Sequence, residues 1–386
     1  MLKNIRPLAG KLLLLFVVIA VMLVAGGCTG LGGQQAGWSG VTIADGNVYF
    51  GSTSGYVIAM DAESGGELWR KPFAASSSGG FGCAPSETAV PLYGTPVVDG
   101  ELVYIAGYDG KVYALNTVAG AERWIYPRQG NLHSFVGGPV LDQGKLYVGS
   151  IGGIIYALDA ETGDWIWEFE TGEQIWATPA IDGDTLYIGS FDKKLYAIDT
   201  ATGEEKWQQP FEAQGPIMST PLVDDGIVYI GSFDRHIYAI DAATGEEIWQ
   251  FPETEGNGEK TPQKWFWASP VVYNGTIYAA NTDGRVYVID TEDGSLITVI
   301  ELGSAISSTP VAANDKVFIA TEDGGIFYID TNDNSKMALP PLGGKVIAPL
   351  FVSEGVVYVH TNEDEIIYKI SAETGVSLWN VPISNE

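Results

Sequence analysis

The feature that most constrains the fold is a nine-residue motif, Asp-x-x-x-Gly-x-x-x-Trp, which recurs eight times in complete or degenerate form. Its copies begin at Asp61, Asn116, Asp159, Asp199, Asp241, Asp290, Asp330 and Ser371. Successive copies start between 40 and 55 residues apart. A period of about 40–45 residues with four short strands per unit is typical of β-propeller blades. The spacing therefore predicts an eight-bladed propeller.

The motif positions have separate physical roles. An Asp side chain accepts hydrogen bonds from backbone N–H groups two residues further on, and Gly supplies the positive φ that closes the turn. The Trp that follows buries about 150–250 Å² when it packs against an adjacent blade. The predicted docking tryptophans are Trp69, Trp124, Trp167, Trp207, Trp249 and Trp379. The copies that begin at Asp290 and Asp330 have Thr298 and Ala338 at this position.

The copy that ends at Trp249 shows the strand pattern most clearly. Its predicted strands are residues 220–223, 227–231, 236–240 and 247–251. Their apolar residues suit sheets that are covered on both faces by neighbouring blades. The first repeat begins with an inner strand near Val41, and the last repeat ends with an outer strand at 377–382. The fold is therefore predicted to be all-β, with eight four-stranded antiparallel blades, each built from consecutive residues.

The N-terminal segment has the pattern of an export signal. Lys3, Arg6 and Lys11 precede an apolar run at 12–25, which is shorter than the roughly 20 residues of a membrane span. Residues 23–28 resemble a bacterial lipobox, in which Cys28 would be acylated. We expect a signal peptide at 1–27, a lipidated linker at 28–37 and the propeller at 38–386; ordinary secretion and an uncleaved anchor remain alternatives.

The same reading predicts where the protein is located. An acylated Cys28 would hold the chain on the extracytoplasmic side of a membrane. Thr29 follows it, whereas the familiar inner-membrane retention signal resembles Asp at that place. In a cell with two membranes, we therefore expect delivery to the outer membrane, facing the periplasm.

The charge and cysteine content narrow the classes of partner. Acidic residues outnumber basic residues 48 to 20, which gives a net charge of −28. Removal of 1–27 takes away three basic residues and no acidic one, so the mature chain carries −31. Such a charge repels phosphate backbones and argues against nucleic-acid binding. Once Cys28 is lipidated, Cys83 is the remaining cysteine, and we expect it to be inert.

The repeats resemble the tryptophan-docking repeat of the pyrroloquinoline-quinone propeller superfamily. The clearest match is Ile-Tyr-Ala-Leu-Asp-Ala-Glu-Thr-Gly at 155–163, and the similarity extends over about 38–383. Eight-bladed lipoproteins of this length resemble the BamB family, which implies a scaffold role in outer-membrane protein assembly. The superfamily also contains quinoprotein dehydrogenases, so the repeat indicates the fold more firmly than the function.

The residues argue against an enzyme. Quinoproteins of the superfamily use a disulfide between adjacent cysteines, and this chain has no Cys-Cys pair. His133, His236 and His360 fall in three different repeats, so we expect solvated or packed imidazoles. The segment 330–341 begins like a calcium loop but has Ser335 and Pro341 where such loops have Gly and Glu. We predict no catalytic residue, no metal site and no cofactor.

Binding is predicted where the repeats differ from one another. The residues that precede each innermost strand should surround one mouth of the central channel. The candidate binding face comprises Trp38, Tyr93, Trp176, Met218, Trp267 and Ile347, with Val136 and Ser307 at the two other positions. Tyr108, Phe191 and Phe233 begin loops on the same side. Insertions at about 74–90 and 253–263 also fall on this side, where repeat proteins gather binding function.

The predicted function is a membrane-anchored, non-catalytic scaffold that binds a protein partner at this mouth, in the manner of BamB. We expect Trp176, Met218 and Trp267 to form one apolar arc, flanked by Glu253, Glu255 and Glu259. Such a surface suits a partner segment with aromatic or aliphatic anchors and nearby Lys or Arg. Three alternatives remain open: a simple channel plug, a quinone-binding redox protein, and an extracytoplasmic sensor or sugar-binding propeller.

Overall fold

The strands of each repeat pair with their neighbours in sequence. The computed structural model describes residues 37–77, 86–253 and 260–383. Nearly all of them belong to one compact unit, Ala36–Ala75 with Ala89–Glu386. Of a second unit, Met1–Gln35 with Ser76–Thr88, only residues 76–77 and 86–88 are described.

The described chain contains eight four-stranded antiparallel sheets, which we number as blades 1 to 8. The strands of blades 1 to 4 are β1 (Val41–Ala44), β2 (Asn47–Gly51), β3 (Tyr56–Asp61) and β4 (Glu67–Pro72); β7 (Val97–Asp99), β8 (Leu102–Gly107), β9 (Lys111–Asn116) and β10 (Glu122–Tyr126); β11 (Val140–Asp142), β12 (Lys145–Gly149), β13 (Ile154–Asp159) and β14 (Trp165–Glu170); β15 (Ala180–Asp182), β16 (Thr185–Gly189), β17 (Lys194–Asp199) and β18 (Phe211–Glu212). Two further short strands, β5 (Ala74–Ser77) and β6 (Ser86–Ala89), lie in the connection between blades 1 and 2.

The strands of blades 5 to 8 are β19 (Leu222–Asp224), β20 (Ile227–Gly231), β21 (Ile237–Asp241) and β22 (Glu247–Phe251); β23 (Val271–Tyr273), β24 (Thr276–Ala280), β25 (Arg285–Asp290) and β26 (Leu296–Glu301); β27 (Val311–Ala313), β28 (Lys316–Ala320), β29 (Ile326–Asp330) and β30 (Lys336–Ala338); β31 (Phe351–Ser353), β32 (Val356–His360), β33 (Ile366–Ser371) and β34 (Ser377–Pro382). The predicted eight-bladed all-β fold is confirmed.

The ring closes without an exchanged strand. Every blade consists of four consecutive strands, as the repeat phase predicts. In most pairs of neighbouring blades the first strands contact one another, and β31 of blade 8 contacts β1 of blade 1. First strands therefore lie innermost, around the channel. No helix in the described ranges is long and apolar enough to cross a membrane.

The hydrophobic core is divided among the seams between blades. Eight buried clusters occur, and each joins the facing sides of two neighbouring blades. Within β2, Tyr49 packs toward blade 2, whereas Val48 and Phe50 pack toward blade 8. Successive side chains of a strand point to opposite faces, so each middle strand contributes to two seams.

The predicted strand bounds are close to those observed. In blade 5, β20 and β22 have the predicted limits, while β19 and β21 begin one or two residues later than predicted. Blade 4 differs most, because its outer strand β18 is reduced to two residues. Glu205 precedes it and is partly buried, which raises the pKa of its carboxyl.

The six tryptophans dock on the turn of the following blade. Each indole lies against the motif glycine of that turn. A Cβ added to Gly203, Gly245 or Gly294 would lie only about 2.6–2.7 Å from atoms of the indole ring. These glycines have positive φ, so the position needs Gly for both conformation and space. Each indole N–H donates to a carbonyl of the same turn, on Thr117, Ala160, Thr200, Ala242, Thr291 and Ala62 in chain order.

Two seams lack this contact and are closed in other ways. Between blades 6 and 7, Asn334 adopts the positive φ of the missing glycine and accepts a hydrogen bond from Tyr278. Between blades 7 and 8, Leu339 lies against Gly375. Spacing alone had placed Ala338 at this position. Because β30 lacks the register shift seen in most outer strands, Ala338 pairs with Phe327 rather than with Tyr328 and lies on the other face of the sheet. The next residue, Leu339, therefore packs in the seam.

The seam between blades 8 and 1 also contains a buried histidine. His360 is 2 % exposed, and its Nδ1–H donates to the carbonyl of Ser39 over 2.8 Å. Burial lowers the pKa of His360 to about 4. Glu365, in the same blade, accepts a hydrogen bond from the backbone N–H of Thr53, and burial raises the pKa of its carboxyl. Polar contacts thus supplement Trp379, which docks on Gly65 to close the ring.

Removal of a docking indole should destabilise the propeller. We expect Trp207→Ala to lower the free energy of unfolding by about 3–5 kcal/mol, because a large buried side chain leaves a cavity. Chemical denaturation measures this loss. Trp165→Ala is the matched control, since Trp165 is 53 % exposed and its loss should change stability little. Equal effects of the two substitutions would contradict the docking role.

The buried imidazole should make the propeller acid-sensitive. The folded-state pKa of His360 lies below the ordinary histidine value of 6.5, so the unfolded chain takes up the proton first as the pH falls. Stability should therefore be lost from about pH 6.5 down to about pH 4. Relative to His360→Gln, the native protein should lose about 2 kcal/mol more between pH 7 and about pH 5.

Denaturation at the two pH values measures this difference directly. Carboxylates contribute equally to the pH dependence of both proteins, so their contribution cancels in the comparison. This includes Glu365, whose raised pKa changes stability in the opposite direction. His133→Gln, at an exposed imidazole, should retain the native pH dependence. The prediction is wrong if His360→Gln retains it too.

Candidate functional site

The residues that precede the eight inner strands converge on one end of the channel. All eight line a single small chamber there: Trp38, Tyr93, Val136, Trp176, Met218, Trp267, Ser307 and Ile347. They meet because each blade presents the same backbone position to the axis. The structure thus brings together all six residues of the candidate binding face. We call this end of the channel the mouth.

The large side chains contact one another across the mouth. Trp267 lies 6.3 Å from Trp176 and 6.4 Å from Trp38, measured between ring centroids in edge-on geometry. Trp38 also contacts Tyr93 at 4.3 Å. Blades 1, 2, 4 and 6 therefore supply one aromatic cluster. The expected arc along the rim, with Met218 between the two tryptophans, is instead a direct contact over the channel.

Exposure separates these residues into two groups. Trp38, Trp176, Trp267 and Ile347 are half-buried. Tyr93 and Met218 are almost fully buried, at 6 % and 8 % exposure, and burial raises the pKa of the Tyr93 hydroxyl. A partner that approaches from solvent can therefore contact the tryptophans. Tyr93 and Met218 are not accessible in this way, and Tyr93 packs against Trp38.

A ring of small hydroxyl side chains lies behind the aromatic cluster. Thr95, Thr178, Thr220, Ser269 and Thr309 each follow a mouth residue by two positions and line the same chamber. Two of them link neighbouring blades, because Thr178 accepts the N–H of Gly138 and Thr309 accepts that of Ser269. The chamber measures about 90 Å³. This ring was not predicted from the sequence, although Thr-Pro or Ser-Pro recurs there in most repeats.

Beside the chamber, the mouth opens into an apolar groove of about 440 Å³, which we call the mouth groove. Its apolar wall is formed by Trp38, Trp265, Trp267, Ala305 and Ile347, and its polar residues are Lys264, Thr282, Ser307 and Glu322. Glu322 accepts a hydrogen bond from the Ser307 hydroxyl. The groove therefore combines a tryptophan-rich wall with one side chain of each charge.

Trp265 is the most accessible of these tryptophans. It is 45 % exposed, and its ring is stacked on Phe233 at 5.3 Å. Phe233 also lies 6.0 Å from Trp267, so the loop between β20 and β21 supports the groove, as predicted for its side of the ring. Sequence reasoning missed Trp265, although the Trp-Phe-Trp alternation at 265–267 was a signal for it. Lys264 and Glu322 carried no such signal.

The other predicted positions do not join the mouth residues. His236 is buried beside Asp234, with 3.2 Å between Nδ1 and Oδ1, and His360 lies in a seam. The carboxyl of Asp330 accepts the N–H of Asn332 within a blade turn. Across residues 37–77, 86–253 and 260–383, no group of three or more His, Cys, Asp or Glu is arranged to hold a metal ion. Cys28, Cys83, Glu255 and Glu259 lie outside the described residues.

Comparison with protein families matches nearly the whole chain to one of them. The sequence model of the family "Outer membrane protein assembly factor BamB" matches residues 30–168, 131–209, 152–339 and 301–385. The chain belongs to the BamB family. The overlapping matches follow the internal repeat, and they span all eight blades. Among curated proteins, the comparison finds no match to this sequence.

Two solved structures show the same fold. BamB from Moraxella catarrhalis is 20% identical, with a TM-score of 0.67 over 83% of this chain and 92% of that protein. A computationally designed protein, Ika8, is 17% identical, with a TM-score of 0.71 over 88% and 98% of the two chains. Since one of the two is a design, the shared fold by itself does not specify a function.

The wider superfamily implies pyrroloquinoline quinone, and the residues at the mouth do not fit it. Sites for organic ligands usually occupy about 300–1,000 Å³, whereas the channel chamber offers about 90 Å³. The mouth groove is larger, but the carboxylate of Glu322 lines it together with Lys264. A cofactor with three carboxylates would meet little compensating positive charge there.

Proposed function

We propose that this member of the BamB family is a membrane-anchored, non-catalytic scaffold of the extracytoplasmic side. It binds extended protein segments in the mouth groove and, in a cell with an outer membrane, assists assembly of outer-membrane proteins. The observation that carries the proposal is the half-exposed tryptophan cluster beside a groove of about 440 Å³. Membership of the BamB family supports a role in the assembly of outer-membrane proteins.

The groove has the composition of a protein-binding hot spot. Aromatic residues and Met are enriched at interface cores, and tryptophans dominate binding energies there. Trp265 and Trp267 are held by Phe233, so little side-chain entropy is lost when a ligand binds. A plain channel plug needs no exposed indole, and the 45 % exposure of Trp265 therefore favours binding.

The charges around the groove favour a particular kind of segment. Glu322 lines the groove, and Glu253 lies exposed near the start of the connection that leads to Trp265. The surrounding protein has a net charge of −28. A partner segment with aromatic or aliphatic side chains and a neighbouring Lys or Arg is complementary to this surface.

Loss of the two tryptophans should weaken binding. A synthetic peptide that alternates Phe with Thr and ends in Lys serves as the probe, and fluorescence anisotropy measures its Kd. Trp176→Ala combined with Trp267→Ala should weaken binding by at least about 2 kcal/mol, or about 30-fold, the usual range for hot-spot residues. Trp165→Ala, which removes an exposed indole far from the mouth, should bind as the native protein does.

Two further measurements keep this test decisive. Trp265→Ala should also weaken binding, and it removes a side chain whose exposure makes misfolding a poor explanation. A peptide with Ala in place of Phe should not bind. Unchanged affinity of both tryptophan variants, with their folding intact, would mean that the cluster is only a plug.

Membrane attachment should depend on Cys28. In Cys28→Ser there is no thiol to acylate, so the protein should appear in the soluble exported fraction or remain as an unprocessed precursor. Fractionation and the mass of the N-terminal peptide distinguish these two results. Continued attachment of a correctly processed Cys28→Ser protein would contradict lipid anchoring.

A further inference from the structure

The chain joins the propeller at the mouth. Gly37 is buried, and an added Cβ would come within 2.1 Å of the carbonyl oxygen of Leu92 in the connection to blade 2. Its own carbonyl accepts a hydrogen bond from Asn362 of blade 8. The next residue, Trp38, lines both the chamber and the mouth groove. The N-terminal attachment point is therefore packed in place beside the groove.

The distance from this point to the proposed lipid is short. Nine residue steps separate Cys28 from Gly37, and in any conformation they span at most about 30 Å. The opposite end of the propeller is further away. A path around a blade crosses four strands, which are spaced by about 4.8 Å, and then follows the length of one strand, which is about 20 Å. The whole path is at least about 35 Å long. The linker cannot follow that path.

Charge distinguishes that opposite end as well. It carries the turns between first and second strands and between third and fourth strands, and we call it the turn face. Six of the eight motif turns start with Asp, and Asp99, Asp142, Asp182 and Asp224 end first strands there. Backbone N–H donors lower the pKa of Asp199 and Asp241 in these turns. The turn face is therefore strongly anionic, and anionic lipid headgroups repel it.

We propose that the tether holds the mouth groove toward the bilayer and directs the acidic turn face into the aqueous compartment, so that the groove takes segments of partners that are themselves membrane-bound. This inference rests on the proposed acylation of Cys28. Tether length and electrostatic repulsion favour the same orientation independently. A partner confined to the same surface also meets the groove at a raised effective concentration.

Energy transfer to labelled lipid tests the orientation. The acylated protein, with Cys83 replaced by Ser, is reconstituted in vesicles of phosphatidylcholine and phosphatidylglycerol that contain a headgroup-labelled acceptor. A donor dye is attached at Lys345→Cys on the mouth side or at Glu373→Cys on the turn face, two exposed positions of the same blade. We expect the mouth donor to transfer energy more efficiently than the turn-face donor.

A longer linker is the matched control. Insertion of about 20 Gly and Ser residues after Gly33 adds up to about 70 Å of reach, and it should abolish most of the difference. Equal transfer from both positions with the native linker would overturn the proposal, as would a difference that the insertion leaves unchanged. The assay contains no partner, so failure of peptide binding does not affect it.

The nature of the partner is tested in the same vesicles. The Phe-Thr-Lys peptide, attached to a lipid, should bind the acylated protein at lower total concentration than the free peptide, and Trp265→Ala should weaken the binding of both forms. Equal binding of the two peptide forms would overturn the inference while leaving the proposed function intact. An N-terminal peptide without an acyl group at Cys28 would overturn both.

Discussion

The contact between an indole and a glycine turn is the interaction on which this propeller depends. Each docking tryptophan covers the motif glycine of the following blade and donates to a carbonyl of the same turn. The contact joins blades whose strands share no ladder hydrogen bonds. It also closes the ring, since Trp379 lies on Gly65 and donates to Ala62. Ring closure thus uses the same chemistry as internal seams, with the buried His360 added at that seam.

Closure of the ring creates the candidate site. Residues such as Trp38 and Trp267 are more than 200 positions apart, yet their rings lie 6.4 Å from each other because equivalent positions face one axis. The repeat makes the blades alike, so a binding surface can be specific only where copies differ. The half-exposed tryptophans, Lys264 and Glu322 are such differences. A designed protein shares the fold, so the fold alone does not specify a function.

The two ends of the propeller differ in chemistry for a structural reason. The turns between first and second strands and between third and fourth strands lie on one face, and the motif turns there use Asp to bind backbone N–H groups. The longer connections that introduce the inner strands lie on the other face and carry the aromatic residues. The repeat therefore produces an acidic end and an apolar end. The N-terminal segment joins the propeller through Gly37 at the apolar end, so the two ends also differ in their connection to this segment.

The sequence alone determined the fold class, the number of blades and the phase of the ring, because a motif with a turn and a docking residue repeats these constraints eight times. It also indicated which residues surround the mouth, since equal positions in a repeat become equal positions in a ring. Only the tertiary structure decided that Trp176 and Trp267 touch across the channel, that Met218 is buried, and that Leu339 replaces a tryptophan. Side-chain size, register shifts and distances across the axis set these outcomes, and they depend on blades that are remote in sequence.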